Sequence, residues 1–186
     1  MPENQGKVRF LVRDERDRLL AVCRDARSAF LYPVVVLALA TSMRKGEILK
    51  LRWADVDLEA RSVVLHETKN GERRRVSLLA FAVDALRSWG KLRQLNDDRE
   101  FPITTGALDY AWQKARADAE LNDFRFHDLR HTTGSYLAMG RCSPLEIAEV
   151  LGHKSLAMVK RYAHLWEDHT KSVVERMNAS LFKDMP

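Results

Sequence analysis

Four stretches of the sequence carry side chains that could act on an anion. In Phe126-His-Asp-Leu-Arg-His131, helical spacing sets His127, Arg130, His131 and Gly134 on one stripe. Phe126, Leu129, Thr133, Tyr136 and Leu137 share a second stripe, apolar enough to face a core. The first stripe then presents an imidazole and a guanidinium one turn apart. Neither neutralises the other, so the pair suits an anionic ligand; the plainer reading is a solvated polar face. Leu151-Gly-His153 reads as a helix end with a glycine turn, and Tyr162 follows His153 by nine residues. A tyrosine in that setting is ordinarily a half-buried core residue with its hydroxyl at the surface. Arg44 stands where two helices meet, one turn from Glu47, a spacing that also suits an ion pair worth roughly a few tenths of a kcal/mol. In Thr68-Lys-Asn-Gly-Glu-Arg-Arg-Arg75, Lys69 falls in a turn, and Arg73, Arg74 and Arg75 lie on the outgoing strand. Such a basic hairpin fits phosphates, or an edge kept from aggregating by its charge.

The elements that must hold these groups are mainly helices. Asp14 is a plausible N-cap, and Leu19, Val22, Cys23, Ala26 and Phe30 then recur at helical steps. A second apolar helix follows Pro33 and ends near Thr41-Ser42, and Arg44 to Leu51 forms a third, short one. After Trp53 the period changes: 61–66 is rich in β-branched residues, 69–72 has turn chemistry, and 74–78 can return as a partner strand. Helices are expected again from Ala80 and at about 106–119, 127–139, 144–151, 155–163 and 168–182, with Gly140 and Gly152 as stops. The expected fold is mostly α with one small antiparallel sheet (α+β).

Composition narrows the function classes. The 186 residues are 46% hydrophobic and 31% charged, enough for one packed domain, and disorder is not expected. A net charge of +5 permits an anionic partner without requiring one. Cys23 and Cys142 are too few for a disulfide scaffold and fit reduced thiols in the cytoplasm. The longest apolar run, 34–40, is far short of the roughly 20 residues that span a bilayer, and no charged-then-apolar leader opens the sequence.

Arginine, turn lysine, His-x-x-Arg, Leu-Gly-His and then a tyrosine nine residues later, in that order, resembles the catalytic domain of the tyrosine recombinases, the phage-integrase family. The resemblance spans about residues 8–166, with 1–7 as a loose start and 167–186 as a helical tail. It implies the fold of that DNA breaking-rejoining domain. It also implies that Arg44 and Arg130 bind phosphate, Lys69 is the lysine of the sheet turn, His127 and His153 are active-site histidines, and Tyr162 is the nucleophile. Double-stranded DNA is the implied partner, with a homo-oligomer, a tetrameric synapse, assembled on it. Tails at this place in the family often dock on a neighbouring protomer; packing on its own domain is the alternative for Val173, Val174, Met177 and Leu181. Family members usually carry a further helical DNA-clamping domain ahead of this one. The sequence here has only a handful of residues before its first helix, which fits a catalytic fragment or a short member.

The implied reaction transfers a DNA phosphodiester to the tyrosine oxygen, giving a 3′-phosphotyrosyl bond and a 5′-hydroxyl. A phenol with pKa about 10 is roughly one-thousandth ionised at pH 7, a handicap of about 4 kcal/mol for attack as phenolate. His127 is the implied base, Lys69 the suitable acid for the leaving alkoxide, and the two arginines stabilise charge on the non-bridging oxygens. With the cations supplied by side chains, neither a metal, ATP nor another cofactor is expected, and the sequence has no Gly-x-x-x-x-Gly-Lys loop.

Three rival readings remain at this point. His127 and His131 have the His-x-x-x-His spacing of zinc proteases, but with Asp128 in place of glutamate and no third ligand evident. Residues 143–162 could form a helix-turn-helix with Gly152 at the turn, a DNA-binding module without chemistry. A type IB topoisomerase shares the implied reaction but not the wording of these motifs.

Overall fold

The computed structural model describes residues 8–66, 73–92, 97–165 and 167–183. The chain divides into two compact units, Arg9–Thr133 and a second made of Gly134–Pro186 with Met1–Val8. The larger runs α1 (Arg13–Asp25), α2 (Leu31–Thr41), α3 (Lys45–Leu49), β1 (Val56–Asp57), β2 (Ser62–Leu65), β3 (Arg74–Ser77), α4 (Ala80–Gly90), α5 (Thr105–Asp118) and the first turns of α6 (Asp128–Met139). The smaller takes up α6 at Gly134 and continues through α7 (Pro144–Leu151), 3-10 turns at Leu156–Met158 and Lys160–Leu165, and α8 (Glu167–Leu181). The mostly helical fold with one small antiparallel sheet is as expected.

In the larger unit α2 is buried on all sides, from Leu31 through Pro33, Val34, Val35, Val36, Leu37 and Ala38 to Thr41. A helix that is apolar all round belongs in the middle of a unit, and α2 packs against α1, α4 and α5. Pro33 sits within its first turn, where its missing N–H costs no helical bond. The α1 start differs from expectation. Val12, not Asp14, is the N-cap residue, and its N–H donates to Glu15 Oε2 at 3.1 Å. Asp14 and Glu15 instead place negative charge in the first turn, where the helix dipole favours it.

The sheet has the order β1-β2-β3, antiparallel throughout, with Val63 opposite Val56 and Val76, and Leu65 opposite Arg74. β1 has only two residues, too short for any alternation to register in the sequence. In β3, Arg74 and Val76 are half-buried while Arg75 and Ser77 are exposed, the two-residue period of a strand with one covered face.

The smaller unit has its own core of Ala138, Ile147, Ala148, Leu151, Val159 and Tyr162. Its helix α6 ends in a motif where Arg141 N–H bonds Ala138 O at 3.0 Å and Cys142 N–H bonds Leu137 O at 3.1 Å. The left-handed residue there is Arg141 (φ 64°), so Gly140 is the last cap residue and not the turning one. The segment expected as a helix over 155–163 forms the two 3-10 turns instead. Its buried side chains, Val159 and Tyr162, are three residues apart, and a three-residue turn stacks them on one side. Among the described residues no helix is long and apolar enough to cross a membrane.

Candidate active site

Two candidate residues of the larger unit, Arg44 and Arg130, meet at the end of α2. Ser42 terminates that helix in the left-handed conformation (φ 58°), with its N–H on Ala38 O at 3.1 Å. The reversal delivers Arg44, two residues on, to the N-cap position of α3. From α6, Arg130 reaches the same turn: its Nη1 donates to the Ser42 carbonyl oxygen at 2.7 Å, and the residue is only 3% exposed. Thr133 Oγ1 donates to Leu39 O at 2.7 Å, and Leu11 N–H donates to Thr132 Oγ1 at 3.1 Å. The start of α6 is thus fastened to the C-terminal turn of α2 and to the strand of chain entering α1. Arg130 and Arg44 are held by one backbone turn.

Glu47, nine-tenths buried, fixes Arg44. Its Oε1 accepts from Arg44 Nη1 at 2.8 Å and its Oε2 accepts from the Arg44 N–H at 2.8 Å. The next residue, Lys45, pairs with Asp109 of α5 at 2.7 Å. Arg74 Nη2 also approaches Glu47 Oε2, at 3.9 Å. The three arginines of the hairpin therefore differ: Arg73 and Arg75 are exposed, whereas Arg74 is half-buried beside Glu47. Burial, and secondarily the nearby Arg44 charge, push the Arg74 pKa down, opposed by Glu47. Lys69 lies outside the described residues.

His127 precedes α6 and is exposed; its carbonyl accepts the Arg130 N–H at 3.1 Å, opening the helix. Its ring meets that of the half-buried His131 edge-on, with centroids 5.0 Å apart. Phe126, just before it, packs edge-on against Trp112 at 5.2 Å, which anchors the loop to the core.

In the smaller unit, α7 starts with a capping box: Ser143 Oγ accepts from Glu146 N–H at 3.3 Å, and Glu146 Oε2 accepts from Ser143 N–H at 2.6 Å. It ends at Gly152 (φ 60°), and the His153 N–H closes the cap on Ala148 O at 2.8 Å. The Leu-Gly-His wording is thus a helix stop that fixes the backbone of His153. Tyr162 is fully buried (0% exposed), more deeply than the half-buried position expected. Its ring lies against α6 at Gly134, where an added Cβ would stand 2.5 Å from Cζ.

The phage integrase family model matches residues 9–169. The chain belongs to the phage integrase family. Among its relatives, the shufflon-specific DNA recombinase of Escherichia coli is 38% identical over 87% of this chain and 41% of its own length. The catalytic domain of bacteriophage HP1 integrase superposes with a TM-score of 0.71 at 28% identity, covering 93% of this chain and 97% of that domain. A XerH recombinase structure has the same fold, with a TM-score of 0.76 at 21% identity over 94% of this chain and 54% of that one. The chain spans about half or less of the length of the first curated relatives it matches.

Two features of this integrase-family chain went unseen in the sequence. Glu47 reads there as an ordinary helix ion pair but grips Arg44 through both carboxylate oxygens, and Gly134 reads as part of a polar stripe but is the seat of Tyr162. The helix-turn-helix reading loses its second helix, because residues 156–165 form 3-10 turns. Among the described residues, no three His, Cys, Asp or Glu side chains gather as metal ligands.

Proposed function

We propose that residues 8–166 are the catalytic part of a site-specific DNA recombinase. It cleaves and rejoins double-stranded DNA by transesterification through a 3′-phosphotyrosyl bond on Tyr162. The observation that carries this reading is the fastening of Arg130 and Arg44 to one turn, since two preorganised guanidiniums suit the non-bridging oxygens of one phosphodiester. The Tyr162 oxygen attacks phosphorus, its proton passes to His127, and the bridging 5′-oxygen leaves with a proton from Lys69. His153 adds a donor to the phosphate. Return attack by a 5′-hydroxyl rejoins the strand and frees the tyrosine, so the bond energy is conserved and neither metal nor nucleotide enters.

Arg73 and Arg75 are exposed and suited to the DNA backbone. DNA as partner is supported by the likeness to XerH, whose structure is a post-cleavage complex with a palindromic difH substrate. Val174, Met177 and Leu181 of α8, and Phe182 just after it, each expose 46 to 66% of their surface, an apolar stripe fit for a neighbouring protomer on DNA. Its mass in solution with and without residues 168–186 tests that role. Cytoplasmic action agrees with a sequence of only two cysteines, of which the buried Cys23 has its pKa pushed up to about 12 and is unreactive.

The deciding experiment is a suicide duplex nicked opposite the scissile site. The expected result is a covalent protein–DNA adduct, mapped by mass spectrometry to Tyr162. Reversible binding with no adduct would leave a DNA-binding module.

A further inference from the structure

Arg44 faces an electrostatic contradiction. The carboxylate that orients it also cancels its charge: Glu47 takes the Arg44 side chain on one oxygen and its backbone N–H on the other, both at 2.8 Å. A phosphodiester approaching that pair meets a neutral couple whose negative end is nine-tenths buried and poorly screened by water. A second cation on the same carboxylate would restore the balance. Arg74 stands there, its Nη2 3.9 Å from Glu47 Oε2 and its side chain 19% exposed. The strand dictates this placement, because the register sets Arg74 opposite Leu65 and the alternation turns it inward while Arg75 turns out.

We propose that Arg74 is a positioning residue for the transesterification, acting through Glu47 to leave Arg44 a net positive partner for the phosphate, and is not itself a DNA-backbone contact. The inference rests on the recombinase reading above. The triplet Arg44–Glu47–Arg74 carries one net positive charge where the pair carries none. Burial disfavours a charged Arg74 and Arg44 repels it, so Glu47 is what makes the position tolerable, and the three groups act as one unit. The arrangement also divides labour along the hairpin, with Arg75 outward for DNA and Arg74 inward for the site.

The test compares Arg74→Gln, Arg74→Lys, Arg75→Gln and Glu47→Gln, each checked for folding by thermal melting, in two assays. The first is the salt dependence of binding to an intact duplex. In an Arg44→Gln background, Arg75→Gln is expected to lower the slope by about one, and Arg74→Gln to leave it unchanged, because Arg74 acts on phosphate only through Arg44. The second is the single-turnover rate of adduct formation on the nicked duplex at saturating DNA. Arg74→Gln is expected to slow it by roughly tenfold or more, with Arg74→Lys recovering most of the rate. The double variant Glu47→Gln/Arg74→Gln is expected to be slowed by less than the product of the single effects. A salt slope lowered by Arg74→Gln in the Arg44→Gln background as it is by Arg75→Gln, or an adduct rate equal to the parent's in Arg74→Gln alone, overturns the proposal. If Arg74→Gln fails to fold, Arg74→Lys and the slope carry the decision: a lysine with a slow rate and a normal melt overturns it. An unsubstituted protein that binds DNA but forms no adduct refutes the recombinase reading, and the salt slopes still show whether Arg74 touches phosphate.

Discussion

The hydroxyl of Tyr162 lies 2.7 Å from the point where a Cβ on Gly134 would stand, and the ring carbons Cζ and Cε1 lie at 2.5 and 2.9 Å. Position 134 thus accepts glycine because a tyrosine ring occupies the space a side chain would need, not because of its backbone angles. The contact joins α6, which follows His127 in sequence, to the residue proposed as nucleophile. Because the tyrosine is 0% exposed, the proposed attack requires it to leave this seat first.

Gly134→Ala is therefore expected to destabilise the smaller unit by about 1–3 kcal/mol, the usual cost of forcing extra volume into a packed site. The cost should vanish when the ring is removed. In the background of Tyr162→Ala, adding Gly134→Ala is expected to change stability little, because the methyl then fills part of the cavity. Denaturant unfolding of the four proteins in the cycle checks this. Equal penalties in both backgrounds would show that the ring is not what makes glycine necessary.

Arg130 holds the fold and, on the proposed reading, also serves the chemistry. Its bond to the Ser42 carbonyl comes from a charged donor in a buried place, and such bonds are worth about 1.5–3 kcal/mol. Arg130→Ala is expected to lose that stability and to slow adduct formation by roughly a hundred- to a thousandfold. Arg130→Lys keeps the charge without the planar fork, and is expected to retain DNA affinity while the rate still falls. Adduct kinetics at saturating DNA decide the point: a lysine variant as fast as the parent removes the arginine from the site.

Much of this was readable in the residues, and the failures have physical causes. α2 and α7 were legible because an unbroken apolar run and a Ser-Pro-x-Glu opening have strong local meaning. Arg44, Arg130, His127, His153 and Tyr162 were picked out by their order and local wording, which backbone geometry such as the Gly152 stop helps to explain. Features set by tertiary neighbours were not legible. Nothing local to Tyr162 predicts full burial; it follows from a glycine 28 positions earlier in sequence. The inward turn of Arg74 follows from strand register, which a run of three arginines does not reveal. The 3-10 turns were not told apart from an α-helix because Leu156, Val159 and Tyr162 stand at i, i+3 steps, a spacing that fits one face of either.

Acid should weaken the entry to α1 in a definite window. The side-chain hydrogen bonds from Arg9, and then the Val12 N–H, hold the Glu15 carboxyl below its usual range. A carboxyl depressed in the folded state contributes stability above its unfolded value of about 4.3 and loses it as pH falls through the lower folded value. Arg9→Met removes the donor while keeping an apolar stem over Phe124, which Arg9 covers at 5.4 Å. Its Glu15 midpoint, followed by carboxyl NMR, is expected to move up toward the ordinary range. The stability gap between variant and parent should narrow as pH falls below the parent's midpoint. A Glu15 midpoint unmoved by the substitution would show that the backbone bond alone sets it.

Tyr162→Phe separates chemistry from packing. The phenylalanine keeps the ring against Gly134 and among Ala138, Ile147, Leu151 and Val159, so the smaller unit is expected to fold with little loss. DNA affinity should hold as well, since the proposed phosphate contacts lie with Arg44, Arg73, Arg75 and Arg130. What disappears is the oxygen that attacks phosphorus, and with it the SDS-resistant adduct on a nicked duplex. The unsubstituted protein is expected to form that adduct with EDTA present, because guanidinium and imidazole groups supply the positive charge. An adduct that persists in Tyr162→Phe would place the nucleophile elsewhere, and one that needs added Mg²⁺ would mean that the side-chain cations do not suffice.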